Sequence, residues 1–380
     1  MKRGVADVVI IGAGVIGCAI ARELASRGRS VIVVERDSPG RRATWAAAGM
    51  LSPLGEAGGG GPFLELADES LSRFAGFEQR LREESGIDVE YRTNGKLHVS
   101  LGDADDLLQA LASDPVAGRF NVKPMNGDEA RRMEPALTDA VTAALFVGRD
   151  HRVNNRLLAQ ALLASATSAG VQFRTANPVA ALTTKHGSVT GVRLASGEQL
   201  TSEHVVLAAG AWSAGIEGLP RDLPIRPVKG QMFSVDSRNR TGKDSTEPMV
   251  QCVLYSRECY VIPRDDGRLL VGATVEDVGF RKGATLRGIS GLMAAAMTLL
   301  PGIAELPLVE TWAGFRPGTP DGQPILGPDP DVRGLVYATG HYRNGILLAP
   351  VTAACVADII TGQQPSLSLD AFAIERFGRR

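Results

Sequence analysis

The chain has 380 residues, enough for two domains or one large domain carrying an insertion. Its 44% apolar and 22% charged content excludes a disordered or fibrous chain, and 41 Lys plus Arg against 42 Asp plus Glu leave no broad basic face for nucleic acid or acidic membranes. Cys18, Cys252, Cys259 and Cys355 form no CxxC pair, which argues against a disulfide scaffold or thiolate zinc site and makes the cytoplasm the expected compartment.

Met1-Lys2-Arg3 and the apolar run up to Val15-Ile16-Gly17-Cys18 imitate a secretion signal. Asp7 interrupts that run, and Arg22, Glu23 and Arg27 follow at helical spacing, so a folded βαβ unit is expected instead. Asp7–Ile11 reads as a strand, Gly14–Ser26 as a helix and Ser30–Glu35 as a second strand. From Arg36 to Pro62 the periodicity fades, and the glycine run Gly58 to Gly61 predicts a long loop. Phe63–Glu84 is an amphipathic helix, and Val89–Ser100 predicts two strands around an Asn94-Gly95 hairpin turn. Asn155–Ala169 is helical, and Val171–Phe173, Val179–Thr184, Val189–Ala195 and Val205–Leu207 read as a meander of strands. Ile225 to Val275 predicts a mixed or antiparallel sheet, followed by a helix near Ile289–Leu300. Gly334–Ala338 and Gly345–Thr361 return to a strand and a long apolar helix that should rejoin the first sheet. No stretch reaches the roughly 20 uncharged residues of a membrane helix, so a soluble protein is expected.

Gly12-Ala13-Gly14-Val15-Ile16-Gly17 is a GxGxxG between a predicted strand and a predicted helix. Its glycines allow a tight turn and let the helix N-terminus approach a pyrophosphate. Glu35 stands 18 residues after the last glycine, where a carboxylate can accept ribose hydroxyls. The pattern points to an adenine dinucleotide, but NAD and FAD present the same ADP half. Thr44-Trp45-Ala46-Ala47-Ala48-Gly49-Met50 and the strand exits Ala208-Ala209-Gly210 and Ala338-Thr339-Gly340 add further small-residue crossings, which favour FAD.

VVIIGAGVIGCAIARELA, AAAGMLSP at 46–53, CYVIPRDDGRLLVGAT at 259–274, WAGFRPGTPDGQPILGP at 312–328 and GHYRNGILLAP at 340–350 resemble the FAD-dependent D-amino-acid oxidase superfamily. Within it the chain is most similar, over nearly its whole length, to the glycine oxidases associated with thiamine biosynthesis. The resemblance implies an α/β fold, α+β overall, with a Rossmann-like FAD-binding domain (1–85, 147–222 and 315–380) interleaved with an antiparallel-sheet substrate domain (86–146 and 223–314). It implies an oxidase that transfers a hydride from glycine, or a small N-substituted glycine, to flavin. The imine then yields glyoxylate plus ammonia or amine, and O2 becomes H2O2.

On the same ground Tyr260, Arg316 and Arg343 match the catalytic and substrate-binding residues. An arginine fork suits a carboxylate because it donates two parallel hydrogen bonds and stays charged when desolvated. Tyr255 lies on the same stretch as Tyr260, and a register shift would exchange their roles. Met50 matches a residue beside substrate and flavin, and would equally fill an apolar gap. The cofactor-binding set is Gly12, Gly14, Val15, Ile16, Gly17, Glu35, Arg36, Ala43, Thr44, Ala48, Gly49, Met50, Val179, Gly210, Gly340, His341, Tyr342, Arg343, Asn344, Gly345, Ile346 and Leu347. Related monomeric sarcosine oxidases tether flavin through a cysteine before the last strand, and Pro317 to Gly334 contains none, so the resemblance implies non-covalent FAD; the five scattered histidines predict no metal site. The implied assembly is a homotetramer. Two readings stay open beside the leading one: an oxidase of bulkier N-alkylglycines in specialised metabolism, and a non-catalytic FAD-binding subunit of an amine dehydrogenase complex.

Overall fold

A computed structural model describes residues 4–57, 60–102, 106–238 and 248–378. Met1-Lys2-Arg3, Gly58 and Gly59 of the glycine run, and 239–247 of the predicted second sheet lie outside them. The first layer is a six-stranded sheet in the order Ile325–Pro328, Leu335–Thr339, His204–Leu207, Val8–Ile11, Val31–Val34 and Gln172–Arg174. All neighbours are parallel except the first pair. Val8–Ile11 and Val31–Val34 are buried at every residue, as a parallel sheet covered on both faces requires. Val8, Ile10, Val31 and Val33 point into one core with the helices Val15–Ser26, Pro62–Ser85, Asn155–Ser168 and Gly345–Ile360. Val9, Ile11, Ile32 and Val34 point the other way, into a core shared with the antiparallel sheet Val179–Lys185, Ser188–Leu194 and Gln199–Thr201.

Helix Pro62–Ser85 begins with proline in its first turn and ends at Gly86 in the left-handed conformation, φ 72°, the usual placement of these two residues. Its stripe Phe63, Leu66, Ala67, Phe74, Phe77 and Leu81 faces the helical core. Among the described residues no helix is long and apolar enough to cross a membrane, and no group of three or more His, Cys, Asp or Glu could hold a metal ion.

The second layer is an eight-stranded sheet: Leu308–Gly318, Arg226–Asp236, Arg268–Gly272, Tyr260–Pro263, Val253–Tyr255, Lys96–Leu101, Val141–Val147 and Val122–Asn126. Only Val253–Tyr255 and Lys96–Leu101 run parallel. Leu97, Val99, Leu254, Val261, Val271 and Phe233 lie on one face with Leu292, Ala296 and Leu299 of helix Leu286–Leu299. Met232, Tyr260, Ile262 and Leu270, which alternate with these along their strands, cluster instead with Ala48, Met50 and Trp312.

Three local expectations are corrected. Val89–Ser100 forms no hairpin: Arg92 exchanges both backbone hydrogen bonds with Arg152, and Lys96–Leu101 pairs with Val253–Tyr255 and Val141–Val147. The strands from 171 to 207 are no single meander, because Gln172–Arg174 and His204–Leu207 join the parallel sheet and leave the strands between them as a separate antiparallel sheet that includes the unexpected Gln199–Thr201. Between Arg36 and Pro62 the chain holds short helices at Ala43–Ala46 and Leu54–Ala57 and a strand, Met50–Leu51, paired with His151–Arg152. Strand Leu308–Gly318 also runs continuously across positions 314 and 315, paired with Arg226–Asp236 through Gly318.

A Cβ on Gly17 would collide with the Gly12 carbonyl oxygen, because the helix packs directly on the strand exit. Gly17→Ala is therefore expected to destabilise the fold by about 1–3 kcal/mol, read from urea unfolding monitored by circular dichroism.

Candidate active site

The sheet exits and the inner face of the second layer enclose one cavity of about 370 Å³. At one end Gly12 turns the chain at φ 107°, and a Cβ there would lie 2.5 Å from the Ala208 carbonyl oxygen. Buried Glu35 accepts from the backbone N–H of Ala13 at 2.9 Å and of Asp37 at 3.0 Å, so it fixes the turn from the neighbouring strand. Thr44 Oγ1 accepts from Val15 N at 2.9 Å. Helix Val15–Ser26 starts at Gly14 with no side-chain cap and no acid in its first turn, and helix Gly345–Ile360 starts at Asn344 in the same way. Both starts line the cavity, so two positive helix ends converge where an anion can meet first-turn N–H groups beyond Val15, whose N–H is taken by Thr44 Oγ1. Arg36 lies 4.9 Å from the centre of the Trp212 ring, and both line the same end.

The opposite wall follows from strand register. His98 pairs with Tyr255, Tyr255 with Tyr260, Tyr260 with Gly272, Gly272 with Met232 and Met232 with Trp312, so one row crosses the sheet on the cavity face. Glycines hollow it: a Cβ on Gly272 would meet the Tyr260 hydroxyl at 2.5 Å, and one on Gly230 would meet the Arg316 guanidinium at 2.5–2.7 Å. Arg316 Nη1 donates to the Thr274 carbonyl at 3.1 Å. The Tyr260 hydroxyl donates to Met232 Sδ at 3.6 Å. Burial raises the Tyr260 pKa, and the nearby charges of Arg316 and Arg343 partly oppose it, so the phenol stays protonated and able to donate. Arg343 is exposed and lines the same cavity.

The segment between the two walls is clasped by one buried cation. Arg264 donates to the carbonyls of Val153 and Ala48 and to Asn155 Oδ1, each at 2.8 Å. Asn155 Nδ2 in turn donates to the carbonyls of Thr44 at 2.8 Å and Trp45 at 3.1 Å. Burial, reinforced by the charge of Arg152, lowers the Arg264 pKa to about 9.

Of the expected site residues, Gly17, Gly340 and Leu347 do not line the cavity. Gly17 meets the Gly12 carbonyl, Gly340 packs against Thr319 and Ile325, and the Leu347 carbonyl accepts from Ser70 Oγ at 2.6 Å. Gly12, Gly14, Val15, Ile16, Glu35, Arg36, Ala43, Thr44, Ala48, Gly49, Met50, Val179, Gly210, Tyr260, Arg316 and His341 through Ile346 all line it. Met50 belongs to the cluster with Tyr255, Tyr260 and Trp312. Sequence reading missed Lys96, His98, Trp212 and Phe315, which also line the cavity. For Lys96 and His98 the signal was the alternation Lys96-Leu97-His98-Val99, which a solvent-facing strand shows equally well.

Residues 7–359 match the family described as FAD dependent oxidoreductase. The chain is 36% identical to a glycine oxidase of Pseudomonas aeruginosa, covering 96% of this chain and 98% of that one. It is 38% identical to the bifunctional protein ThiO/ThiG of a Synechocystis species, over 98% of this chain but 54% of the relative, so it spans about half the length of that protein. The crystal structure of glycine oxidase from Geobacillus kaustophilus superposes with a TM-score of 0.91 at 33% identity, covering 98% of this chain and 99% of that one.

His341 is buried, with Nε2 3.1 Å from Thr352 Oγ1, and burial lowers its pKa from 6.5 to about 3. The folded pKa lies below the unfolded one, so the unfolded chain alone binds this proton in that window and stability falls as pH drops through it. His341→Gln is expected to shrink the stability difference between pH 7 and pH 5 by about 2 kcal/mol, measured by urea unfolding at both values.

Proposed function

The chain belongs to the FAD-dependent oxidoreductase family, and from that premise we propose that it oxidises glycine and small N-substituted glycines, with dioxygen as the oxidant. The carrying observation is the placement of Arg316 and Tyr260 on one hollowed sheet face, opposite two helix N-termini with no acid in their first turns, all lining one cavity.

The residues present fit the cofactor. The converging helix starts suit a pyrophosphate, and neither carries a first-turn acid that would repel one. Gly14, Thr44, Glu35 and Val179 would hold the nucleotide half, and Ala48, Gly49, His341 and Gly345 the ring system. The small side chains let backbone come close to a flat group. None of the four cysteines lines the cavity, and all are buried, which supports non-covalent binding. When bound, FAD supplies the two-electron chemistry that converts an amine to an imine and passes the electrons to dioxygen.

The protein's own part is grip and enclosure. The Arg316 fork pairs with the substrate carboxylate, and the protonated Tyr260 hydroxyl donates to the same group. Arg343, at the exposed rim, adds positive potential along the approach of an anionic group. The clasped segment from Thr44 to Gly49 closes one side and keeps water from the amine. Released imine then hydrolyses to glyoxylate, with ammonia leaving when glycine is the substrate and the corresponding amine when it is an N-substituted glycine.

Arg316→Ala is expected to raise the KM for glycine by at least about thirtyfold while the purified protein keeps its flavin absorption, since a carboxylate contact is lost and no nucleotide contact. Steady-state oxygen consumption measures this, and an unchanged KM would remove Arg316 from the grip. Anaerobic addition of glycine or sarcosine should bleach the oxidised-flavin band of the wild-type protein. A colourless protein, or a yellow one inert to both, would contradict the reading.

A further inference from the structure

Beyond the Arg316 grip, the cavity lining continues through Tyr255 to Lys96, His98 and Ser52. The Tyr255 ring stacks on Tyr260 at 6.2 Å between centroids, and on its other side meets His98 at 5.0 Å. An aromatic step thus separates this far end from the guanidinium. His98 is only 3% exposed, and neither of its ring nitrogens has a hydrogen-bond partner among the described residues. Burial foremost, then the Lys96 charge, pushes its pKa well below the ordinary histidine value, so the ring is neutral and offers one donor and one acceptor. Lys96 is charge-compensated: its Nζ lies 2.6 Å from the buried carboxylate of Asp150.

The far end is therefore strongly polar but electrically balanced. An alkyl group placed there leaves the His98 nitrogens unpaired, which costs free energy in a buried site. A carboxylate placed there adds a negative charge beside Asp150, whose own charge already balances Lys96. A hydroxyl or carboxamide satisfies the ring without adding charge.

We infer that Lys96, His98 and Tyr255 form a specificity subsite for an uncharged hydrogen-bonding group, so that the substrate class is N-substituted glycines whose substituent ends in a hydroxyl or carboxamide. This rests on the oxidase reading, with the substrate carboxylate at Arg316 and the substituent directed past Tyr255.

The test compares the FAD-loaded enzyme on sarcosine, N-propylglycine, N-(2-hydroxyethyl)glycine and N-(carboxymethyl)glycine. The propyl and hydroxyethyl groups differ by one methyl-for-hydroxyl exchange at nearly constant size. The hydroxyethyl compound is expected to exceed the propyl compound in kcat/KM by about tenfold or more, mostly through KM, and to exceed the carboxymethyl compound. His98→Leu should bring the hydroxyethyl-to-propyl ratio to within about twofold of one, while His98→Asn, which keeps a donor and an acceptor, retains part of it. A propyl compound that matches the hydroxyethyl one, or a ratio unmoved in His98→Leu, overturns the subsite, and a preferred carboxymethyl compound overturns its uncharged character. If sarcosine also fails to reduce the flavin, the oxidase reading falls and the subsite with it, whereas sarcosine turnover without the hydroxyethyl preference removes the subsite alone.

Discussion

Everything at the site depends on how closely the chain from Thr44 to Gly49 can be squeezed between the two layers. A Cβ on Gly49 would run into the Val153 carbonyl, and one on Gly314 would run into the Ala46 methyl. The Trp312 indole N–H donates to the Ala46 carbonyl at 3.2 Å from the second layer, while Thr44 Oγ1 receives Val15 N from the first. Asn155 takes up the carbonyls of Thr44 and Trp45, Arg264 that of Ala48, and the Val153 backbone N–H that of Gly49. Buried backbone groups must be paired, and here a guanidinium, a carboxamide, an indole and one backbone amide do most of it in a tight space. The small residues of this stretch therefore serve two ends at once: they leave room for the flat cofactor proposed to bind there, and they let the layers approach near enough to share a cavity.

The second layer solves a different problem, which is to mount large polar side chains on a pleated surface without burying their heads in neighbours. Gly230 and Gly272 give up their side chains so that the Arg316 guanidinium and the Tyr260 ring can lie along the sheet. Lying flat, each head stays at the cavity surface while its stem is packed. The same row ends in Tyr255 and His98, which makes the proposed carboxylate grip and the far-end polarity parts of one rigid surface. Relative positions on it are set by strand spacing and vary little with loop motion, a good basis for discriminating among small substrates.

Charge is distributed with comparable economy. Three of the buried cations are compensated in different ways: Lys96 by Asp150, Arg264 by carbonyl dipoles, and Lys229 by Glu276 at 3.5 Å. Desolvating a charge is costly unless hydrogen bonds or a counter-charge replace water, so a guanidinium whose fork remains directed at a cavity is set up for an anionic guest. Arg316 spends one nitrogen on the Thr274 carbonyl, which orients the fork without neutralising it.

Much of the first layer was legible in the chain because its signals are local. The GxGxxG turn, the fully apolar strands Val8–Ile11 and Val31–Val34, and the long helices each depend on residues within a few turns of one another, and the position of Glu35 after its strand is a count along the chain. The role of Glu35 in tying down the Ala13 and Asp37 amides was not legible, since it needs the distance between two strand ends. The resemblance in the motifs around Tyr260, Arg316 and Arg343 pointed to the grip, but which tyrosine lies beside the guanidinium was left to strand register. Register is also why Asn94-Gly95 misled: the dipeptide fits a tight turn, yet Lys96–Leu101 found its partners at Val141–Val147 and Val253–Tyr255, far along the chain. Local sequence, then, determined the nucleotide-binding turn, the parallel core and the residue types available for chemistry. Tertiary structure alone decided that Lys96 and His98 face the cavity instead of water, because a side chain's surroundings on a sheet are set by strands remote in sequence and by what covers that face.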